Sequence, residues 1–176
     1  ADVAAVVAAA VAKGGRLDIM VNNAGITVSK SVLDLTDEEY SHVLGVNLNG
    51  TFYVTRSAIP HLKASGDGVI LVLSSLAGRF GYPNRSPYAA SKWGLIGLTK
   101  VQGKDYAETG VTINALAPAV VRTPMVAALP EAQVNYMTSR IPMKRCCTLD
   151  EVAAMACFIL SREASFSTGF TFDLTG

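Results

Sequence analysis

A tyrosine and a lysine that could act together in acid–base chemistry lie four residues apart in the segment Tyr88-Ala-Ala-Ser-Lys92. On a helix, residues at this spacing share one face. An ammonium about 4 Å from a phenol, at an effective dielectric constant near 20, contributes up to ~4 kcal/mol. This could lower the pKa of a phenol, ordinarily about 10, by as much as roughly 3 pH units. The pair could then serve as a general acid/base, although such a pair alone is usually a partly exposed feature of an amphipathic helix.

Further polar residues directly follow short apolar segments that we predict to be buried strands. The segments are LDIMVN (17–22), GVILVL (68–73) and VTINALA (111–117), and they lead into Asn22-Asn23-Ala24-Gly25, Ser74-Ser75 and residues 118–123. In an open α/β sheet the ligand site lies beyond the carboxyl ends of the strands. We therefore expect these three groups and the start of the Tyr88 helix to meet in one site.

Predicted helices alternate with these strands. The first spans residues 1–14 and the third spans residues 88 to about 108. The second begins at a capping box formed by Thr36 and Glu39 and runs to about residue 64. The fourth begins at a capping box formed by Thr148 and Glu151 and runs to about residue 160. Residues 119–147 are predicted to be irregular with a short helix after Pro130, and a last strand spans 170–174. Three of the four strands are apolar throughout, which is typical of a parallel sheet covered on both faces. The sequence thus predicts one doubly wound α/β domain over residues 1–176.

The composition argues against several classes of protein. Half of the 176 residues are hydrophobic, 16% are charged and the mean hydropathy is +0.33, which is too apolar for a disordered chain. The 15 basic and 14 acidic residues lack the basic excess of a nucleic-acid-binding protein. No apolar run reaches the roughly 18 residues of a membrane span. The three cysteines form neither a disulfide framework nor a metal-site spacing, so we expect no metal and a reduced, cytoplasmic protein.

Together these segments resemble the short-chain dehydrogenase/reductase family, over essentially the whole chain from Asp18 onward. The matching pieces are Asn22-Asn23-Ala24-Gly25, Asn47 in VNLNG, Ser75 in LSSLAG, Tyr88-Ala-Ala-Ser-Lys92, Asn114 in INALAP, and Thr123 after Pro118. In that family a serine precedes the catalytic tyrosine by about thirteen residues, as Ser75 precedes Tyr88 here. The resemblance implies a Rossmann-like doubly wound parallel sheet with helices on both faces. It also implies an NAD(P)-dependent oxidoreductase that interconverts a secondary alcohol and a ketone by hydride transfer.

The resemblance implies a role for each matching residue. Tyr88 is the general acid/base, Lys92 makes it a stronger acid and hydrogen-bonds the nicotinamide ribose, and Ser75 holds the substrate oxygen. Asn47 bends its helix and anchors a water of a proton relay, with a buried structural amide as the alternative. The cofactor is NAD or NADP, and its contacts are expected at Asn22, Ala24, Gly25, Tyr88, Lys92, Pro118, Val121 and Thr123.

The chain departs from the family pattern at three places. The Gly-rich phosphate-binding loop and the residue that selects NAD or NADP are absent, Ala119 replaces a glycine after Pro118, and no tail follows Gly176. We therefore expect a longer parent protein and an exposed edge on the first strand of this chain. Ala119 accepts a positive φ less readily than glycine, so the backbone there should differ slightly. A non-catalytic family member that acts as an oligomer partner stays open as an alternative.

Substrate specificity is expected to depend on residues 76–87 and 124–147. In the first segment, Arg79 and Arg85 could bind a carboxylate in bidentate fashion, although solvated surface arginines are the more common case. The resemblance is nearest to members that act on sugars and sugar acids, with 3-oxoacyl-thioester reductases as the alternative.

The resemblance also implies the partners of the chain. The helices over 37–64 and 88–108 are those through which the family forms dimers and tetramers, and they carry Phe52, Tyr53, Trp93 and Leu98. We expect a homodimer or homotetramer that acts on a small molecule, binds no nucleic acid and spans no membrane.

Overall fold

The computed structural model describes residues 3–176, apart from the side chain of Met125. Four strands pair in parallel, in chain order, to form one sheet: β1 Ile19–Asn22, β2 Val69–Leu73, β3 Thr112–Pro118 and β4 Thr171–Leu174. The α-helices are α1 Val3–Gly14, α2 Asp37–Leu44, α3 Thr51–Ser65, α4 Ser86–Asp105, α5 Pro124–Ala127, α6 Glu131–Ser139 and α7 Leu149–Leu160. This arrangement confirms the predicted α/β fold.

The alternation of side chains along the strands divides the core between the two faces of the sheet. Ile70 and Ile113 pack on one face against residues of α1, α3 and α4. Leu71 and Leu116 pack on the other face against α7, where Ile159 is buried. Because helices cover both faces of β2 and β3, these strands carry apolar side chains in succession rather than in alternation.

The long helix predicted from Thr36 onward forms, but it is interrupted. Both hydrogen bonds of the capping box between Thr36 and Glu39 are present at the start of α2. A π-helical segment, Gly45–Gly50, then joins α2 to α3. Asn47, which the family resemblance implies to bend this helix, lies inside the π-helical segment. Such single π-turns are frequent at functional sites.

Other boundaries agree with the sequence to within a few residues, with one addition. Residues 119–147 contain α5 as well as the predicted helix after Pro130, because the Thr123 hydroxyl caps α5 by accepting the Val126 N–H. The second predicted capping box, between Thr148 and Glu151, is present at the start of α7. The first predicted helix is described from Val3 onward, and its residues 1 and 2 lie outside the described part of the chain.

β4 is held to the rest of the molecule by a close approach and a buried amide. A Cβ on Gly103 of α4 would lie only 2.4 Å from the backbone nitrogen of Gly169, so only glycine fits at this crossing. Asn114 of β3 donates through Nδ2 to the Ser167 carbonyl and accepts the Phe170 N–H through Oδ1. These contacts set the position from which β4 begins its pairing with β3.

β1 lies at one edge of the sheet. Its residues Ile19 and Val21 are about half exposed, at 49% and 47%, which confirms the exposed edge expected from the sequence. Within residues 3–176, none of the helices combines the length and the apolar character that crossing a membrane would require.

Candidate active site

Lys92 is a buried lysine at the carboxyl edge of the sheet. Its residue exposure is 4%, and its ammonium donates to the carbonyl of Leu73, the last residue of β2, at 2.6 Å. Within the described residues it has no carboxylate partner at ion-pair distance. Burial lowers the pKa of Lys92 from 10.5 to about 8, because the charged form loses hydration that nothing nearby fully replaces.

Tyr88 lies one helical turn before Lys92, as the four-residue spacing predicts. The Lys92 ammonium lies 5.6 Å from the centre of the Tyr88 ring, and the tyrosine is half-buried. The ammonium and the aromatic ring are thus close enough for a cation–π contact. The pair therefore combines a half-buried tyrosine with a nearby positive charge.

Asn47 joins three parts of the site through its side-chain amide. Its Nδ2 donates to the Ile26 carbonyl and to the Ser91 hydroxyl, and its Oδ1 accepts the Ile26 N–H. Ser91 in turn donates to the Tyr88 carbonyl. Because Asn47 and Ser91 are fully buried, this network fixes the loop after β1 against the first turns of α4.

Ser91 lies inside the Tyr88–Lys92 motif, but neither the spacing nor the family resemblance predicts a role for it. A serine on the buried face of a helix, one turn from a candidate catalytic residue, is the signal that could identify it. Its hydroxyl needs a partner when it is buried, and the structure supplies two.

Ser74 and Ser75, which follow β2, differ in burial and in hydrogen-bond partners. Ser74 is buried and donates to the Lys92 carbonyl, so it supports the backbone of α4. Ser75 is partly exposed and accepts the Ala77 N–H at the start of a short 3₁₀ turn, Leu76–Gly78. A Cβ on Gly78 would lie 2.7 Å from the Lys92 carbonyl oxygen, which shows how closely this turn packs on α4. Of the two serines, Ser75 is the one with a hydroxyl open to a ligand.

The segments predicted to contact a cofactor lie at the same edge of the sheet. Asn22 is buried and donates to the Thr55 hydroxyl, while Ala24 and Gly25 are exposed. A Cβ on Gly25 would lie 3.7 Å from the Lys92 ammonium and 3.5 Å from Asn47 Oδ1. Glycine at this position therefore leaves open the space in front of the lysine.

After β3, the chain is held in place by residue 147. Val121 forms an isolated parallel bridge with Cys147, and the Arg122 N–H donates to the Cys147 carbonyl. Pro118 ends β3, and the Thr123 hydroxyl is used as a helix cap. Among the described non-glycine residues, positive φ values occur at Asn84 and Lys144 and not at Ala119, so the backbone there adapts to alanine.

The two arginines predicted to bind substrate have different surroundings. The Arg79 guanidinium pairs with the Asp173 carboxylate at 3.2 Å and approaches the Thr171 carbonyl at 3.5 Å. Arg85 donates to the Thr27 hydroxyl at 2.8 Å and has no carboxylate at ion-pair distance within the described residues. The structure thus ties Arg79 to β4 and leaves Arg85 at the loop after β1.

The residues present fit a nicotinamide cofactor. The Lys92 ammonium carries three donors, and its one described acceptor is the Leu73 carbonyl, so N–H groups remain for ribose hydroxyls. The glycine at position 25 keeps that side of the ammonium clear. Among residues 3–176, no group of three or more His, Cys, Asp and Glu side chains is arranged to hold a metal ion.

Comparison with known proteins agrees with this geometry. A family model described as enoyl-(acyl carrier protein) reductase, one of the short-chain dehydrogenase models, matches residues 1–176. The chain is 46% identical to a 2-dehydro-3-deoxy-L-rhamnonate dehydrogenase (NAD(+)) from Sphingomonas sp. (strain SKA58), covering 99% of this chain and 72% of the relative.

Two further relatives extend the range of named activities. The chain is 40% identical to a 3-oxoacyl-[acyl-carrier-protein] reductase from Thermotoga maritima, covering 97% of this chain and 70% of the relative. It is 38% identical to a trans-4-hydroxycyclohexanecarboxylate dehydrogenase from Sinomonas cyclohexanicum, covering 98% of this chain and 64% of the relative. The chain belongs to the short-chain dehydrogenase/reductase family and is an NAD- or NADP-dependent oxidoreductase that acts on CH–OH groups.

Proposed function

We propose that Tyr88 is the general acid/base of this oxidoreductase. The observation that carries the proposal is the buried, carboxylate-free Lys92 ammonium 5.6 Å from the Tyr88 ring. During oxidation of an alcohol, the phenolate takes the hydroxyl proton; during reduction of a ketone, the phenol returns a proton to the carbonyl oxygen. Lys92 places its positive charge beside the Tyr88 ring, and Ser75 holds the substrate oxygen by a hydrogen bond.

We propose that Asn47 has both of the roles predicted for it, that of a buried structural amide and that of an anchor for a relay water. Its side-chain amide is engaged by Ile26 and Ser91, so the side chain acts as a structural amide that fixes Tyr88 and its helix. Its backbone carbonyl accepts a hydrogen bond from the Thr51 hydroxyl. We assign the predicted relay water to that carbonyl rather than to the amide.

NAD or NADP, when bound, supplies the hydride acceptor or donor for the carbon that bears the oxygen. On the protein side, Lys92 would bind the nicotinamide ribose through its remaining N–H groups. The backbone at Asn22, Ala24 and Gly25 would contact the adenosine side of the cofactor, and Pro118, Val121 and Thr123 would contact the nicotinamide side. The hydrogen bonds between residues 120–122 and Cys147 would hold that second segment in place.

We further propose that the substrate is a secondary alcohol or ketone of a sugar acid or a related hydroxy acid. Two of the relatives described above are named for carboxylate-bearing substrates, a deoxy sugar acid and a hydroxycyclohexanecarboxylate. A 3-oxoacyl thioester stays as the second candidate, supported by the relative named as a 3-oxoacyl-[acyl-carrier-protein] reductase.

The test is a steady-state assay of reduced nicotinamide formation with NAD⁺ and NADP⁺ and a panel of sugar acids and hydroxy acids. Tyr88→Phe should lower kcat by about 10²- to 10⁴-fold, because the proton transfer is lost. Its Kd for the cofactor, from fluorescence titration, should change by less than about threefold, because the ring is kept. Tyr82→Phe, which changes an exposed tyrosine of the loop that precedes α4, is the matched control. Near-wild-type turnover in Tyr88→Phe would refute the assignment.

We also propose that the protein forms a homodimer or homotetramer through α3 and α4. Phe52, Tyr53 and Trp93 are exposed by 38 to 53%, and the Arg56 guanidinium lies over the first two rings at 5.6 and 5.4 Å. An aromatic surface with an arginine is typical of the core of a protein interface. Light scattering on the purified protein measures the assembly directly. The cytoplasmic location stays a prediction that depends on the cysteine content.

A further inference from the structure

We infer that Arg85 is the residue that selects acidic substrates, by binding a carboxylate of the substrate next to Tyr88. The inference rests on the proposed function and adds the residue responsible for specificity. Arg85 is the N-cap residue of α4 and stands three positions before Tyr88, so the two belong to the same turn of the chain. The inference places this guanidinium at the far end of a short hydroxy acid whose hydroxyl meets the Tyr88 phenol.

Arg85 is held in place by contacts between two loops. Its Nη1 donates to the Thr27 hydroxyl at 2.8 Å, and the adjacent Asn84 carbonyl accepts the Lys30 N–H at 3.2 Å. Asn84 takes a left-handed conformation, with φ of 59°, to make this connection. Asparagine tolerates that conformation better than most residues. The loops after β1 and β2 are therefore joined directly beside the site.

The charge of Arg85 has no counterpart in the described structure. One neutral hydroxyl uses one of its five N–H groups, and no carboxylate lies at ion-pair distance among residues 3–176. Arg79, the other arginine of the loop, is already paired with Asp173. A planar guanidinium with an N–H edge to spare matches a carboxylate in bidentate geometry. For this reason we assign the substrate carboxylate to Arg85 and not to Arg79.

The experiment compares an acid with an uncharged analogue of the same skeleton. The probes are trans-4-hydroxycyclohexanecarboxylate and its primary carboxamide, together with the same pair made from 2-dehydro-3-deoxy-L-rhamnonate. The quantity measured is the ratio of kcat/KM for the acid to that for the amide, at saturating cofactor. Arg85→Ala should lower this ratio by about 10- to 100-fold, mostly through KM, because charge-assisted hydrogen bonds are lost.

Three variants separate recognition from a purely structural role. Arg85→Lys should recover part of the ratio, because it keeps the charge but not the bidentate edge. Thr27→Val removes the acceptor that orients the guanidinium and should lower the ratio by about 3- to 10-fold. Arg79→Ala, the matched arginine, should change kcat/KM for acid and amide by the same factor.

Three other results of these assays would overturn either the inference or the proposed function. If Arg85→Ala lowers acid and amide equally, Arg85 only joins the two loops and the inference is wrong. If the wild-type enzyme oxidises the amides or other neutral alcohols but none of the acids, the inference and the proposed acidic substrate fail, while the proposed acid–base role of Tyr88 stands. If no alcohol or ketone is turned over with either cofactor, the proposed function itself fails.

Discussion

Replacement of Lys92 by methionine should make the stability of the protein respond differently to pH. Lys92 is almost completely buried, and burial lowers its pKa from 10.5 to about 8. Below pH 8 the lysine is charged in both folded and unfolded chains, so the folded state bears the full cost of the buried charge. As the pH rises from about 8 to 10.5, the folded protein has lost the proton that the unfolded chain still binds. The wild-type protein therefore gains stability over this range.

The magnitude follows from the two pKa values. At about 1.36 kcal/mol per pH unit, the difference between 10.5 and about 8 corresponds to a cost of roughly 3 kcal/mol at neutral pH. At pH 9.5 linkage leaves about 1.4 kcal/mol of this cost, so the wild-type protein should gain about 2 kcal/mol between pH 7 and pH 9.5 relative to Lys92→Met. The lost bond to the Leu73 carbonyl adds an offset that hardly depends on pH, so it cancels from this difference.

The assay is urea unfolding of both proteins at pH 7 and pH 9.5, with the free energy of unfolding extrapolated to water. Lys100→Met removes an exposed lysine of the same helix and serves as the control for loss of a lysine charge alone. If the difference between wild type and Lys92→Met changes by less than about 0.5 kcal/mol between the two pH values, Lys92 behaves as an ordinary surface lysine. The reasoning about the site would then be wrong.

Two further predictions concern the contacts that position β4. Gly103→Ala should lower the free energy of unfolding by about 1–3 kcal/mol, because its Cβ would lie 2.4 Å from the Gly169 nitrogen. The control Gly97→Ala on the same helix meets no atom within 4 Å and should be neutral or stabilising by up to about 1 kcal/mol. Asn114→Ala should cost about 2–4 kcal/mol in the same assay, since it leaves the Ser167 carbonyl and the Phe170 N–H without their buried partner.

Local sequence patterns predicted most of the fold. The continuous apolar strands indicate a sheet covered on both faces, and both capping boxes mark helix starts to the residue. The four-residue spacing predicted that Tyr88 and Lys92 share one helix face, and the thirteen-residue spacing of the family motif identified Ser75. These features depend on neighbouring residues, on chain periodicity or on a family motif, so a single sequence carries them.

Contacts between distant parts of the chain could not be predicted in the same way. Thr27 and Arg85 are 58 positions apart, and Arg79 and Asp173 are 94 positions apart. No periodicity links such pairs, and only the folded chain shows that one arginine is paired and the other is not. The partners of the Asn47 amide were missed for the same reason, because three separate segments must fold together before they meet.

The way in which Lys92 is accommodated bears directly on the chemistry. A buried lysine is usually stabilised by a carboxylate, and such a partner would raise its pKa again. A carboxylate here would also offset the positive charge that Lys92 presents to Tyr88, which the proposed mechanism uses. In the structure the ammonium instead donates to a neutral acceptor, the Leu73 carbonyl. Its desolvation is therefore not offset by an opposite charge, and the pKa of Lys92 is lowered. The lowered pKa of Lys92 and the positive charge it presents to the Tyr88 ring are thus two consequences of one arrangement, a buried ammonium without a carboxylate partner.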